Sequence, residues 1–312
     1  MNKSAWKRGC PARLAPAWRV AGALRLEHDT RRLDWSSRQA GLFDSDGDGM
    51  PDAPFDATTI RNGNKVSDTV ALPRLTVEYR PDAAQFGWLT VARGYKASGF
   101  NLYATAPDAA STAYRPEYGT HGEIGYRLRG AQRAWDLAAI VFYTRLRDQQ
   151  VTVTDTNGQS RIDNAGRSHS QGLELTATLR PLPTLELTAF GGIVHAEYDD
   201  YIKGGVDFAG KQFANTPRHS VGVGLTWQPS AQWDAGLNAT RQGASNLYPA
   251  SGTVNPAYTL VNAHLTYRVQ QWTFGLYGKN LGDARYYTRA LANNIVLASQ
   301  PRTWGVRAGR DF

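Results

Sequence analysis

Hydrophobic and polar residues alternate along most of this chain. The segment SVGVGLTWQ (220–228) carries valine, leucine and tryptophan at every second position, with glycine, threonine and glutamine between them. GLELTATLR (172–180), WDAGLNAT (233–240) and TLVNAHLTYRV (259–269) follow the same pattern. Because successive side chains of a β-strand lie on opposite faces, a period of two predicts strands with one apolar and one polar face.

The pattern predicts twelve long strands. They are 18–28, 70–80, 86–96, 119–129, 134–146, 170–180, 184–197, 218–228, 232–242, 257–269, 271–281 and 303–312. Short connections alternate with long ones, and the first long connection is 29–69. Short turns on one side and long loops on the other are typical of an antiparallel up-and-down β-barrel in an outer membrane.

Strand length and aromatic positions favour a membrane-spanning sheet over a soluble sandwich. The predicted strands run to about ten residues, the length of a tilted transmembrane strand, whereas soluble strands average about five or six. Aromatic residues lie near the ends of the apolar faces, where the girdles of a membrane barrel lie. These interfacial aromatics are Trp18, Trp135, Tyr143, Trp227, Trp233, Trp272 and Trp304.

Composition and charge further restrict the fold class and the possible functions. The 31 glycines and the many aromatic residues favour an all-β fold. The net charge of +8 is scattered singly along the chain, which argues against nucleic-acid binding. The single Cys10 excludes an internal disulfide. The stretch 1–18 is basic but has no apolar core, so we expect no signal peptide in the chain as written.

The segment DSDGDGMPD (44–52) is the one dense group of carboxylates. Glycines between the acidic residues allow a tight loop that gathers oxygen ligands, which Ca²⁺ prefers. The position where an EF-hand needs glutamate is Phe55, so the segment is not an EF-hand. A structural calcium site and a solvated acidic loop tip both remain open. The candidate ligands are Asp44, Asp46, Asp48 and Asp52.

No other motif indicates a cofactor or catalysis. The six histidines show no metal-ligand spacing, and no nucleophile elbow, P-loop or dinucleotide fingerprint is present. We therefore expect neither an enzyme nor a protein with an organic cofactor.

Seven segments resemble, in order, the C-terminal part of the barrel of TonB-dependent outer-membrane receptors. They are ARGYKASGFN (92–101), FYTRLRDQQV (142–151), NAGRSHSQGLEL (164–175), GKQFANTPRHS (210–220), YTLVNAHLTY (258–267), YGKNLGDARYY (277–287) and PRTWGVRAGRDF (301–312). The resemblance implies a 22-stranded barrel filled by a plug domain. Twelve strands form only part of such a wall, so we expect an incomplete barrel without a plug.

The resemblance also implies a function. We expect residues 1–312 to form a C-terminal portion of a receptor barrel in a Gram-negative outer membrane, with 1–16 as a poorly defined start and 29–69 as a long external loop. Such a receptor takes up a ferric siderophore or a similar nutrient complex. A TonB-type complex supplies the energy for this uptake only if the missing N-terminal plug domain is supplied. The alternatives are a transport-incompetent relic and a small closed pore of twelve strands.

The last residue has a separate interpretation. Outer-membrane barrels commonly end on an aromatic residue, so the resemblance makes Phe312 a signal for the assembly machinery. The girdle argument alone makes it an interfacial anchor.

Overall fold

The computed structural model describes residues 3–8, 12–43, 50, 53–101, 111–154, 160–203, 205–247, 253–290 and 295–311. In chain order the strands are β1 (Lys3–Arg8), β2 (Ala12–Ala15), β3 (Trp18–Phe43), β4 (Ala53–Tyr79), β5 (Gln85–Lys96), β6 (Gly99–Phe100), β7 (Ala113–Tyr114), β8 (Glu117–Arg129), β9 (Trp135–Arg147), β10 (Gln150–Thr154), β11 (Ser160–Asn164), β12 (Arg167–Leu182), β13 (Leu185–Asp200), β14 (Ile202–Lys203), β15 (Val206–Asp207), β16 (His219–Trp227), β17 (Trp233–Gln242), β18 (Ser245–Asn246), β19 (Val254–Asn255), β20 (Tyr258–Val269), β21 (Trp272–Lys279), β22 (Tyr287–Ala290), β23 (Val296–Ala298) and β24 (Thr303–Arg310). One 3₁₀ turn covers Ala131–Arg133. Among the described residues, no helix is long and apolar enough to span a membrane.

Twelve long strands form a single antiparallel sheet in chain order. The order is β3, β4, β5, β8, β9, β12, β13, β16, β17, β20, β21 and β24, and each pairs with the next. These strands, which we call the wall strands, match the twelve that the alternation predicts. The antiparallel, up-and-down fold class is therefore confirmed.

The apolar side chains of the wall are exposed on one face of the sheet. Leu175, Val221, Val223 and Leu237 expose 47–55% of their surface, although they lie mid-strand. In the register, Leu173 lies between Val141 and Ile193, so apolar side chains form continuous rows across neighbouring strands. A two-sheet core would bury these residues. Their exposure is what a lipid-facing surface requires.

The sheet has an additional edge that the alternation did not predict. β1 pairs with His28–Ala23 of β3, and β2 pairs with β3 near Trp18. The stretch 1–16, expected as a poorly defined start, thus contains two short strands at 3–8 and 12–15, and the strand at 18–28 has neighbours on both sides. These segments are short and rich in basic residues and alanine, so their hydrophobic period is weak although their backbone can pair.

The long loop predicted at 29–69 is mostly strand. β3 and β4 remain paired from Trp18 and Tyr79 to Phe43 and Ala53, with one irregularity near Leu33. The backbone ladder continues beyond the apolar band, where both faces carry polar residues. Hydrophobic alternation reports contact with lipid or a core and cannot detect a hairpin that is polar on both sides.

The sheet is open in the described part of the chain. β24 pairs there with β21 only, whereas β3 pairs with β1, β2 and β4. The small closed pore requires pairing between 18–28 and 303–312, and the register shows instead that 18–28 already has neighbours on both sides. The barrel is therefore incomplete, as expected.

Candidate functional site

The two rims of the sheet differ in structure. Five connections between wall strands are short turns, and we call that side the short-turn rim. The six other connections are longer: one joins β3 directly to β4, and the other five contain the small hairpins β6–β7, β10–β11, β14–β15, β18–β19 and β22–β23. We call this side the long-loop rim. Loops held on a rigid scaffold are the usual place for binding residues, so the long-loop rim is the candidate functional site.

Amide side chains join neighbouring loops at this rim. The Asn101 side chain donates to the backbone carbonyl of Ile162 (3.1 Å) and accepts from the Ile162 N–H (2.7 Å). This pair of bonds imitates a backbone ladder between segments 61 residues apart. Asn164 exchanges the same kind of bonds with the backbone of Arg115, at 2.8 and 3.0 Å. The loop after β5, the hairpin β10–β11 and the start of β8 therefore form one connected layer.

Gln150 strengthens the same layer. Its side chain donates to the carbonyls of Ala97 (2.9 Å) and Arg115 (3.0 Å). Its backbone N–H donates to the Glu117 carboxylate at 2.7 Å. Each bond fixes backbone that would otherwise be a free loop, and each contributes about 0.5–1.5 kcal/mol net.

An aromatic cluster lies next to these amides. Tyr198, Tyr201 and Ala165 are buried, and the rings of Tyr198 and Phe213 lie 4.8 Å apart. The Tyr201 ring lies 5.1 Å from that of Phe208. Burial and the negative charge of Asp163 raise the pKa of Tyr201 to about 12, so its hydroxyl stays protonated at physiological pH. The cluster is a small hydrophobic core above the wall, and it holds the connection between β13 and β16 in place.

A carboxylate is anchored near the first hairpin. Asp68 accepts hydrogen bonds from the hydroxyls of Tyr95 (2.7 Å) and Ser98 (2.5 Å) and from the Ser98 N–H (3.0 Å). In the register it lies opposite Asp29, which forms an ion pair with Arg31 at 3.6 Å. Charged groups at this rim are thus held by specific partners.

Several charged side chains on the polar face of the wall form ion pairs with one another. Arg127 and Arg129 both contact Asp136, at 3.4 and 2.9 Å, and Arg180 contacts Glu186 at 2.7 Å. Partly exposed pairs of this kind add little stability, but they neutralise charge along the wall.

A second polar chain crosses three strands of the same face. Trp88 donates to Glu123 (3.0 Å), the other Glu123 oxygen lies 3.4 Å from His121, and His121 is bonded to Thr144 (2.8 Å). These polar groups satisfy one another, so the long-loop rim remains the candidate site.

The predicted interfacial aromatics lie near the two rims. Trp18, Trp135, Trp227, Trp233 and Trp272 adjoin the short turns, whereas Tyr143 and Trp304 lie toward the long-loop rim. All seven expose between 37% and 75% of their surface. Arg310, which shares the apolar face, places its guanidinium 5.6 Å from the centre of the Trp272 ring. Contact of the seven predicted interfacial aromatic side chains with lipid remains a prediction.

Two other predictions fall outside the described residues. Asp44, Asp46, Asp48 and Asp52 lie in 44–49 and 51–52, and Phe312 is the final residue. The calcium site and the assembly signal therefore remain predictions.

Two histidines come together that the sequence did not connect. His169 of β12 and His195 of β13 have ring centres 6.0 Å apart, with Glu197 beside both. Motif spacing along the chain cannot show this arrangement because the ligand candidates lie on two strands. The signal in the sequence is weak: His195 and Glu197 are two positions apart and so share a face.

Comparison with known proteins identifies a family. Residues 12–281 match the family model described as TonB dependent receptor-like, beta-barrel. The pesticin receptor of Yersinia pestis is 24% identical over 309 residues, which cover 94% of this chain and 41% of that protein. The metal-pseudopaline receptor CntO of Pseudomonas aeruginosa is 26% identical over 267 residues, which cover 80% of this chain and 35% of that protein.

A solved structure shows the same fold. The ferric yersiniabactin uptake receptor FyuA from Yersinia pestis superimposes with a TM-score of 0.75 at 23% identity, over 96% of this chain and 44% of that chain. This chain therefore spans less than half the length of these relatives.

Proposed function

Because this chain belongs to the TonB-dependent receptor β-barrel family, we propose that it forms part of the wall of an outer-membrane receptor that takes up a ferric siderophore or a similar metal complex. The relatives support this substrate class by their names: one is a metal-pseudopaline receptor and another a ferric yersiniabactin uptake receptor. The exposed apolar face fits residence in the outer membrane.

The observation that carries the proposal is the long-loop rim. Asn101, Gln150 and Asn164 tie three loops into one layer at the end of an open wall. A receptor needs such a layer because a preorganised surface loses less conformational entropy when it binds a ligand. Binding there needs no covalent chemistry, which agrees with relatives that are transport receptors and not enzymes.

Uptake requires parts beyond this wall. The proposed partners are outer-membrane lipid, the metal complex, and a TonB-type energising complex that acts on a plug domain. The plug and the remaining strands must complete the open sheet at its two edges, which are β24 on one side and β1 with β2 on the other.

A chimaera tests the proposal. The N-terminal part of the ferric yersiniabactin uptake receptor FyuA, together with a signal peptide, is placed in frame ahead of this chain, in a strain without other siderophore receptors. We expect uptake of radiolabelled iron as ferric yersiniabactin, and loss of that uptake when the inner-membrane energising complex is deleted.

Two controls make the result decisive. Resistance to unfolding in cold detergent shows whether the chimaera has inserted as a barrel, and intact FyuA sets the full uptake of ferric yersiniabactin. An inserted chimaera without uptake contradicts the proposal and favours a transport-incompetent relic.

A further inference from the structure

Four titratable residues meet on the outer face of the wall near the long-loop rim. His169 lies opposite Glu197 in the ladder between β12 and β13, and His195 lies opposite Gln171. Asp199 follows Glu197 by two positions. We call these four residues the His169 cluster: His169, His195, Glu197 and Asp199.

The cluster shares a face with the apolar band. His169 and Leu173 are four positions apart on β12, and Ile193 and His195 are two positions apart on β13, in an unbroken register. Side chains two or four positions apart in a strand lie on the same face. The cluster is therefore on the side of the sheet that exposes Ile193, away from the face that carries Glu123 and Arg127.

The geometry brings three ligand atoms together. His195 Nε2 lies 3.0 Å from one Glu197 oxygen, and His169 Nε2 lies 3.9 Å from the other. One nitrogen or oxygen from each of the three residues lies within 4.8 Å of the others. A tetrahedral Zn²⁺ site with bonds of about 2.0–2.1 Å places its ligand atoms about 3.3 Å apart, so small rotations of these side chains suffice.

We propose that His169 Nε2, His195 Nε2 and Glu197 bind a divalent transition-metal ion of the zinc class, with a fourth position open to water. Two imidazoles and one carboxylate are a ligand set that Zn²⁺ takes when three protein ligands bind it. The three residues are partly buried, so the position remains open to solvent. Calcium and magnesium prefer oxygen ligands only and are excluded by the two imidazoles.

Asp199 is the positioning residue of this site. Its carboxylate lies 2.6 Å from His169 Nδ1. That bond directs Nε2 toward Glu197, which is the arrangement that carboxylates give to metal-binding histidines in proteins. The Tyr143 ring stacks against His169 at 6.0 Å and fixes the imidazole plane. Two carboxylates offset the charge of Arg145, the neighbour of His169 in the other ladder.

The location sets the role of the ion. A metal here joins β12 to β13 on the outer surface, apart from any path through the barrel. The inference therefore does not rest on the proposed uptake function, and a failure of transport leaves it standing.

Titration of the intact, untagged chain in detergent micelles tests the site. We expect one Zn²⁺ to bind per chain, and Co²⁺ in its place to give the intense visible absorption of four-coordinate cobalt. His195→Ala and Glu197→Gln weaken binding at least tenfold. Asp199→Asn weakens it about 10–100-fold, the usual effect of removing a carboxylate that orients a metal-binding histidine.

The matched control is His264→Ala. His264 Nε2 also contacts a carboxylate, that of Asp234 at 3.0 Å, but no second imidazole is beside it in the described part of the chain. Its loss leaves Zn²⁺ affinity unchanged. Circular dichroism verifies the sheet in each variant, and His195→Gln replaces any His195→Ala protein that does not fold. Zn²⁺ binding by His195→Ala as tight as in the unaltered chain, or a folded unaltered chain that binds none, overturns the proposal.

Discussion

At the scale of single residues, close contacts across the sheet decide which side chains each position accepts. Trp88 and Gly125 are register partners on β5 and β8. A Cβ atom at Gly125 would clash with the Trp88 indole, whereas Gly122 on the same strand has open space. The glycine therefore makes room for the indole, and the indole bonds to Glu123.

This contact predicts opposite effects for two alanine substitutions on β8. Gly125→Ala displaces the Trp88 ring and breaks its bond to Glu123, and we expect a loss of about 1–3 kcal/mol, the usual range for overpacking. Gly122→Ala is neutral or slightly stabilising because it restricts the unfolded chain. Urea unfolding in micelles, followed by tryptophan fluorescence, measures both. Equal stability of the two variants contradicts this interpretation.

Asp82 stabilises the short turn between β4 and β5. Its carboxylate accepts hydrogen bonds from the Gln85 side chain (2.9 Å) and from the N–H groups of Ala84 (2.8 Å) and Gln85 (2.9 Å). These bonds hold the pKa of Asp82 below its ordinary value, and the bond from the Gln85 side chain contributes most.

The lowered pKa sets the sign of a pH effect. The stabilising contribution of Asp82 is complete above about pH 4, the pKa in the unfolded chain, and is lost as the pH falls through the lower folded-state value. Asp82→Asn should therefore lower the melting temperature at pH 7, and the difference from the unaltered chain should shrink as the pH falls below about 4. A difference that does not change between these pH values would show that the charge is irrelevant.

At the scale of elements, polar side chains hold the small hairpins of the long-loop rim in place. The small hairpins have two to five residues in each strand, too few to be stable alone. Asn280 shows how they are fixed: it donates to the carbonyls of Ala284 (3.0 Å) and Gln300 (3.1 Å) and accepts from the Ala284 N–H (2.8 Å). One buried amide thus joins the two ends of the connection between β21 and β24.

Removal of one such amide should loosen one hairpin. Asn101→Ala deletes both bonds to Ile162, and we expect exchange of the Ile162 amide hydrogen to accelerate about tenfold, since two net hydrogen bonds are worth about 1–3 kcal/mol. Hydrogen exchange with mass spectrometry measures this.

Asn262→Ala is the matched control for that measurement. Asn262 accepts from the Asn280 N–H at 2.9 Å in a different part of the sheet. Its loss should accelerate exchange at Asn280 and leave Ile162 unchanged. Acceleration at both sites in both variants would indicate general unfolding and not a local bond.

At the scale of the whole molecule, the open sheet leaves hydrogen-bonding edges. β24, β1 and β2 each have one side without a strand partner in the described residues. Unpaired edges in a long sheet are templates for pairing with another chain.

This openness predicts concentration-dependent association. In detergent, the chain alone should form dimers and larger species, and the N-terminal part of a relative such as the pesticin receptor should suppress them when supplied in trans. Sedimentation velocity in micelles measures the assembly state. A monomer over a wide concentration range, with rapid amide exchange along β24, would mean that the edges do not pair.

Sequence alone determined the wall of this protein. Each wall strand contacts two different media, and the period of two records that difference residue by residue, as in Val221 and Val223. The same contrast indicated the number of strands. The alternation of short and long connections indicated their antiparallel order and the two rims. The quoted segments that revealed the family also contain Asn101, Gln150, Asn164 and Asn280, although nothing in their spacing showed which backbone groups they bind.

Tertiary structure alone decided the pairing where both faces of a strand are polar. The pairing of 29–43 with 53–69, the edge strands at 3–8 and 12–15 and the His169 cluster all depend on which strands are neighbours. Backbone hydrogen bonds form between any residues with free N–H and C=O groups, so they leave no hydrophobic pattern in the sequence. Cross-strand contacts such as His169 with Glu197 exist only once the register is set, and the register is a property of the folded sheet.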